Sequence, residues 1–161
     1  MNKAYLLTGG NVGDRVSHLK EAAENMERYS GKIMQRSSLY ETAPWGKIDQ
    51  APFLNQALLL STSLDASALL KIILEVEEKS GRKRAEKYGP RIIDIDILFF
   101  NNEILNQPDL KIPHPQIQNR RFALQPLCEI APGWVHPVFK KTILQLLKEC
   151  PDKLDVKKFL E

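Results

Sequence analysis

Tyr88-Gly89-Pro90-Arg91-Ile92-Ile93-Asp94-Ile95-Asp96-Ile97-Leu98-Phe99-Phe100 is a hydrophobic run interrupted by two carboxylates two residues apart. Its length and β-branched content read as a strand, and Asn101-Asn102 marks a turn after it. Side chains alternate across a strand. Ile93, Ile95, Ile97 and Phe99 are therefore expected on one face and Asp94, Asp96, Leu98 and Phe100 on the other, with the aspartate Cα atoms ~6.7 Å apart. Two readings of the carboxylates stand. On a solvated edge strand they simply face water. On a face partly covered, as Leu98 and Phe100 suggest, two like charges favour a cation between them, and hard oxygen ligands one strand step apart suit Mg²⁺.

Upstream of this strand the elements fall in a definite order. Ala4 to Thr8 reads as a buried strand, followed by a glycine turn and a helix with Val16, Leu19, Ala22, Ala23 and Met26 at helical spacing, from an N-cap at Asp14 to a stop at Gly31. Lys32–Thr42 and Phe53–Ser63 are extended. The ten residues between them hold two prolines, a glycine and Trp45, long for a hairpin, and read as an interaction loop or lid. A helix from Asp65 to Gly81 presents Leu69, Leu70, Ile73, Leu74 and Val76. The sum is β-α-β-β-α-β, the order of a ferredoxin-like α/β/α sandwich, an α+β fold with an antiparallel central sheet. Downstream come a short strand at Glu103–Leu105, an extended Pro113-His114-Pro115 loop, a short helix after Asn119-Arg120-Arg121-Phe122 despite Pro126, a closing helix over Thr142–Cys150 and a charged tail.

At 161 residues and 43% hydrophobic content, the chain suits a single domain spanning 1–161. The net charge of +3 is too mild to argue for nucleic acid, and no segment has the length to span a membrane or the pattern of a secretory signal. A cytoplasmic protein is expected. Cys128 and Cys150 lack metal-site spacing and read as reduced thiols. His18 and His136 read as structural, whereas His114, between two prolines and near two arginines, is a ligand candidate.

Chemistry concentrates ahead of the aspartates. Arg82-Lys83-Arg84-Ala85-Glu86-Lys87-Tyr88-Gly89-Pro90-Arg91 carries five basic residues in ten and runs directly into the strand. Arginine forks bind phosphate oxygens and carboxylates hold the metal that bridges them, so the convergence describes a polyphosphate site.

These motifs, with Ser37-Ser38-Leu39-Tyr40-Glu41-Thr42-Ala43-Pro44, Phe53-Leu54-Asn55, Pro113-His114-Pro115 and Arg120-Arg121-Phe122 through Glu129-Ile130-Ala131-Pro132, resemble the 6-hydroxymethyl-7,8-dihydropterin pyrophosphokinases of folate biosynthesis. The resemblance implies diphosphate transfer from ATP to the hydroxymethyl oxygen of a reduced pterin, releasing AMP, with two Mg²⁺ ions. It implies Asp94 and Asp96 as metal ligands and Arg82, Arg84 and Arg91 as the catalytic clamp on the ATP phosphates. Glu77, His114 and Arg120 join those arginines in binding ATP. Phe53 and Phe122 would sandwich the pterin, Asn55 would hydrogen-bond its edge, and Thr42, Ala43 and Trp45 would lie against it. A monomer is expected. Gly10, Tyr88 and Gln116 depart from the family's usual residues without removing a metal ligand or stacking ring. The rival is a ferredoxin-like nucleic-acid-binding module using the 82–91 loop. That module would need an aromatic display on its central strands, and the sequence has none.

Overall fold

The computed structural model describes residues 1–42, 51–81 and 92–160. The strands and helices in chain order are β1 (Asn2–Gly10), α1 (Arg15–Ser30), β2 (Lys32–Arg36), β3 (Tyr40–Thr42), β4 (Phe53–Thr62), α2 (Ala66–Lys79), β5 (Asp94–Phe100), β6 (Leu105–Gln107), β7 (Leu110–Ile112), α3 (Arg121–Ile130), α4 (Ile143–Glu149) and β8 (Val156–Lys158). The main sheet runs β5-β1-β4-β3-β8, with β2 also on β4, and every pairing is antiparallel. With β2 and β3 taken as one interrupted strand, this is the 4-1-3-2 arrangement of the ferredoxin-like order expected from the sequence.

Each face of the sheet buries its own core. Leu6, Leu54, Leu58, Leu60, Ile95 and Ile97 pack against Leu19, Met26, Leu69 and Ile73 of α1 and α2. On the other face Leu7, Ala57, Leu59, Leu98 and Phe99 pack against Leu124, Leu127, Ile143 and Leu146 of α3 and α4. The cap expected at α1 is present, and α2 has one where its helix was expected to begin: Asp14 accepts from the N–H of Ser17 at 3.2 Å and Asp65 from that of Ala68 at 2.8 Å. At Gly31 the requirement is space, because a Cβ there would run into the backbone of Ser61.

Four local expectations need correction. Alternation along β5 fails at its end: Tyr5 pairs with Phe99 but Leu6 with Ile97, so Leu98 is an extra, bulged residue. Leu98 and Phe99 consequently both join the α3 face, and Phe100 crosses to the α1/α2 face. The stretch Lys32–Thr42 is two strands. Ser37 separates them by bonding Ala57 through both its N–H (2.9 Å) and its hydroxyl, which accepts the Ala57 N–H at 2.9 Å. The strand placed at Glu103–Leu105 lies instead at Leu105–Gln107 and forms a hairpin with β7. The charged tail is not loose. Its β8 adds to the sheet beside β3, with Tyr40 opposite Lys158 and Thr42 opposite Val156.

Pro126 sits inside α3, where it cannot return an N–H to the preceding turn. Burial of Leu124, Pro126 and Leu127 against the sheet holds the helix together. Both cysteines are free, Cys150 buried and Cys128 partly so.

Candidate active site

Strand register brings the predicted residues of the sheet together. Gly9 pairs with Asp94 on one side and Asn55 on the other, and Asn55 pairs with Tyr40. Directly opposed residues in antiparallel strands point to the same face, so Asp94, Asn55 and Tyr40 line one rung on the α3 face. Asn55 and Asp94 are two strand spacings apart, roughly 10 Å. One step along, Asp96 lies opposite Leu7 on that same face, and Phe53 lies opposite Thr42.

Gly9, expected in the glycine turn after the first strand, lies instead inside β1, which continues to Gly10. A side chain there would collide with the amide of Asn55, so the bare backbone of Gly9 is what lets that amide lie across the rung. The available signal was a glycine inside a strand pattern, which marks close approach. Asn55 is 5% exposed; its Nδ2 donates to the carbonyl of Thr8 at 3.3 Å, while its Oδ1 has no hydrogen-bond partner among the described residues. A buried amide oxygen without a donor costs about 1–3 kcal/mol, so its donor would have to come from a ligand or from outside the described residues.

Asp94 and Asp96 are both half-buried. Between them the N–H of Ile95 donates at 2.8 Å to Glu77, a carboxylate of α2 that is only 4% exposed. Glu77 thus fastens the backbone of β5 midway between the aspartates. Among the described residues no cluster of three or more His, Cys, Asp or Glu side chains could hold a metal ion. Two half-exposed carboxylates on one strand face fit an ion that takes one or two protein oxygens and fills its remaining positions with water and phosphate, as Mg²⁺ does.

The bulge at Leu98 carries the next part of the site. Its carbonyl accepts the backbone N–H of His114 at 3.0 Å, tying the Pro113-His114-Pro115 loop to β5 two residues beyond Asp96. His114 Nδ1 accepts from the N–H of Gln116 at 3.1 Å, so its ring proton resides on Nε2. Burial, with the nearby Arg120 charge, pulls the His114 pKa down to about 4. At neutral pH His114 is an uncharged imidazole with one N–H to donate. Arg120 stands just before α3, its guanidinium 5.7 Å from the Phe122 ring centroid. Its Nε is buried and has no hydrogen-bond partner among the described residues.

A second feature missed by sequence reading links α3 to β3. Glu129 accepts from Tyr40 Oη at 2.6 Å and from the Ser38 N–H at 2.9 Å. Burial, reinforced by the Glu129 carboxylate, keeps the Tyr40 phenol protonated far above the neutral range. Thr42 is buried and donates from its hydroxyl to the Asp155 carbonyl at 3.1 Å. Of the remaining predicted residues, Ala43, Trp45, Arg82, Arg84 and Arg91 lie outside the described residues, as do most of the loop between Thr42 and Phe53 and all of the basic run 82–91. His136 is structural as expected, buried with Nδ1 accepting from the N–H groups of Val138 and Phe139, and His18 Nδ1 lies 3.1 Å from the Val12 carbonyl.

Residues 5–132 match the family model described as 7,8-dihydro-6-hydroxymethylpterin-pyrophosphokinase. The chain belongs to this family. Among curated pyrophosphokinases, the Aquifex aeolicus 2-amino-4-hydroxy-6-hydroxymethyldihydropteridine pyrophosphokinase is 42% identical over 149 residues, covering 92% of each chain. The Bacillus subtilis pyrophosphokinase of the same name is 42% identical over 130 residues, covering 80% of this chain and 78% of that one. In fold, the chain resembles the Plasmodium falciparum HPPK-DHPS crystal structure, with a TM-score of 0.74 at 23% identity; the likeness covers 92% of this chain and 43% of that one. The pyrophosphokinase assignment leaves the nucleic-acid-binding alternative without support. Among the described residues no helix is long and apolar enough to cross a membrane.

Proposed function

We propose that residues 1–161 act as one unit that transfers diphosphate from ATP to the hydroxymethyl oxygen of 6-hydroxymethyl-7,8-dihydropterin, giving the pterin diphosphate and AMP in folate biosynthesis. The observation that carries this reading is the Asn55–Gly9–Asp94 rung, which sets a buried amide oxygen with no partner among the described residues about 10 Å from a carboxylate pair. An amide meets the paired donor and acceptor of a pterin edge, and Phe53 and Phe122 supply faces for its ring.

Asp94 and Asp96 would hold two Mg²⁺ ions. Bound there, such ions would supply charge neutralisation on the phosphate oxygens. The rest of the work falls to positioning. Arg120 offers a guanidinium whose buried Nε has no acceptor among the described residues, and His114 offers its Nε2 proton without adding charge. Glu77 belongs to the nucleotide side, where it keeps the aspartate-bearing strand in place. Arg82, Arg84 and Arg91 would close over the phosphates, and Thr42, Ala43 and Trp45 would complete the pterin wall. Holding the alcohol in line with the β-phosphorus converts a two-body encounter into an ordered displacement, the larger part of the rate gain available here. No side chain is assigned as general base. A cytoplasmic monomer is the form expected to act.

Mixing the purified chain with ATP, MgCl₂ and 6-hydroxymethyl-7,8-dihydropterin should release AMP only when the pterin is present. Release of ADP, or AMP formation indifferent to the pterin, would overturn the proposal.

A further inference from the structure

Helix α3 begins between two proposed substrate contacts, with Arg120 at its N-cap and Phe122 in its first turn, yet Arg120 makes no capping hydrogen bond through its side chain. The missing acceptor comes from the far end of the chain. Asp152, 31 residues on and 7% exposed, accepts the backbone N–H of Arg121 on Oδ2 at 3.2 Å and that of Leu154 on Oδ1 at 2.9 Å. Arg121 answers by donating from Nε to the Asp152 carbonyl at 2.9 Å. A carboxylate in this place satisfies a helix-start donor and opposes the positive end of the helix dipole. From there the chain continues into Asp155, whose carbonyl holds Thr42, and into β8 on β3.

We propose that Asp152 is a positioning residue for both substrates. By capping α3 from outside, it fixes the turn that aims Arg120 at ATP and Phe122 at the pterin ring. It lies beyond residue 132, where the family match ends, so this role is additional to the family signature. The inference rests on the reading of Arg120 and Phe122 as substrate contacts.

Double-mutant cycles test it. Asp152→Asn keeps the shape but turns an NH₂ group toward one of the two N–H donors, so it cannot satisfy both. It should weaken equilibrium binding of the dihydropterin and of MgATP by about fivefold each, the size of a lost cap. In Asp152→Asn/Phe122→Ala the pterin effect of Asp152→Asn should vanish, and in Asp152→Asn/Arg120→Ala the ATP effect should vanish. A purely structural aspartate would lower the melting temperature while leaving both affinities unchanged, or its effects would add in full in the double variants; either result overturns the inference. If Phe122→Ala and Arg120→Ala alone leave binding intact, the substrate-contact reading fails first and takes the inference with it.

Discussion

Asn55 and Asp94 owe their spacing to strand register, whereas Arg120 and Phe122 owe theirs to a helix start capped by a residue from the C-terminal tail. The first pair sits at one end of a hydrogen-bonded ladder, Asp94 opening the edge strand β5 and Asn55 near the start of β4, with an apolar core on each face of the sheet beyond it. Moving one member there means unpairing the last rungs of the sheet. The second pair depends on a loop, a bulge and a few hydrogen bonds, each replaceable at a cost of about 1 kcal/mol. A site made this way combines a fixed floor with an adjustable wall.

The largest expected effect separates chemistry from scaffold. Asp96→Ala should reduce turnover by roughly a thousandfold, the several kcal/mol that a bound metal contributes to phosphoryl charge. The thermal midpoint of the variant should be close to that of the parent. Steady-state AMP release beside a melting curve checks this, and full turnover would remove Asp96 from the metal site.

Gly9→Ala attacks the floor alone. Its methyl must displace the Asn55 amide, and an overpacking cost of about 2 kcal/mol taken from binding is roughly thirtyfold in pterin affinity. MgATP affinity should change far less. Titration of each ligand separately decides whether the floor is as rigid as the register implies. Phe122→Ala attacks the wall, and loss of one stacking face should cost about tenfold in pterin affinity.

The smallest effect concerns pH. His114 titrates near 6.5 when unfolded and near 4 when folded, so between those values the unfolded chain binds the extra proton. Stability should therefore fall as pH drops from about 6.5 toward 4, and His114→Gln should flatten that part of the profile. Denaturant midpoints at neutral and mildly acidic pH measure the difference.

The contrast between floor and wall also explains what the sequence disclosed. The β-α-β-β-α-β order, the caps at Asp14 and Asp65 and the aspartate-bearing strand rest on local periodicity and local hydrogen bonds, and these are written in neighbouring residues. The break in alternation at Leu98 was not visible, because a bulge depends on the partner strand, here Tyr5-Leu6. Glu129 reaching Tyr40, Asp152 capping α3 and β8 closing on β3 join residues 89, 31 and roughly 116 positions apart, and nothing local encodes them. Tail residues such as Lys157 and Lys158 read as solvated charge; pairing with β3 uses their backbone, to which composition is blind. The aspartate pair, the basic run and His114 stood out by their own chemistry, whereas Glu77, Arg120 and the pterin contacts were named through family resemblance. Register then supplied what the motif lacked: the reason Asn55 and Asp94 share a face, and why Gly9 stands between them.

Asn55→Leu offers the most direct test of that arrangement. Leucine keeps the branched four-atom skeleton in a larger volume, and removes the buried oxygen that has no partner among the described residues together with one 3.3 Å hydrogen bond to Thr8. If the oxygen is kept for the pterin, dihydropterin affinity measured by titration should fall about a hundredfold while the melting temperature holds or rises. Undiminished pterin binding, or a loss of affinity matched by loss of the fold, would contradict the account.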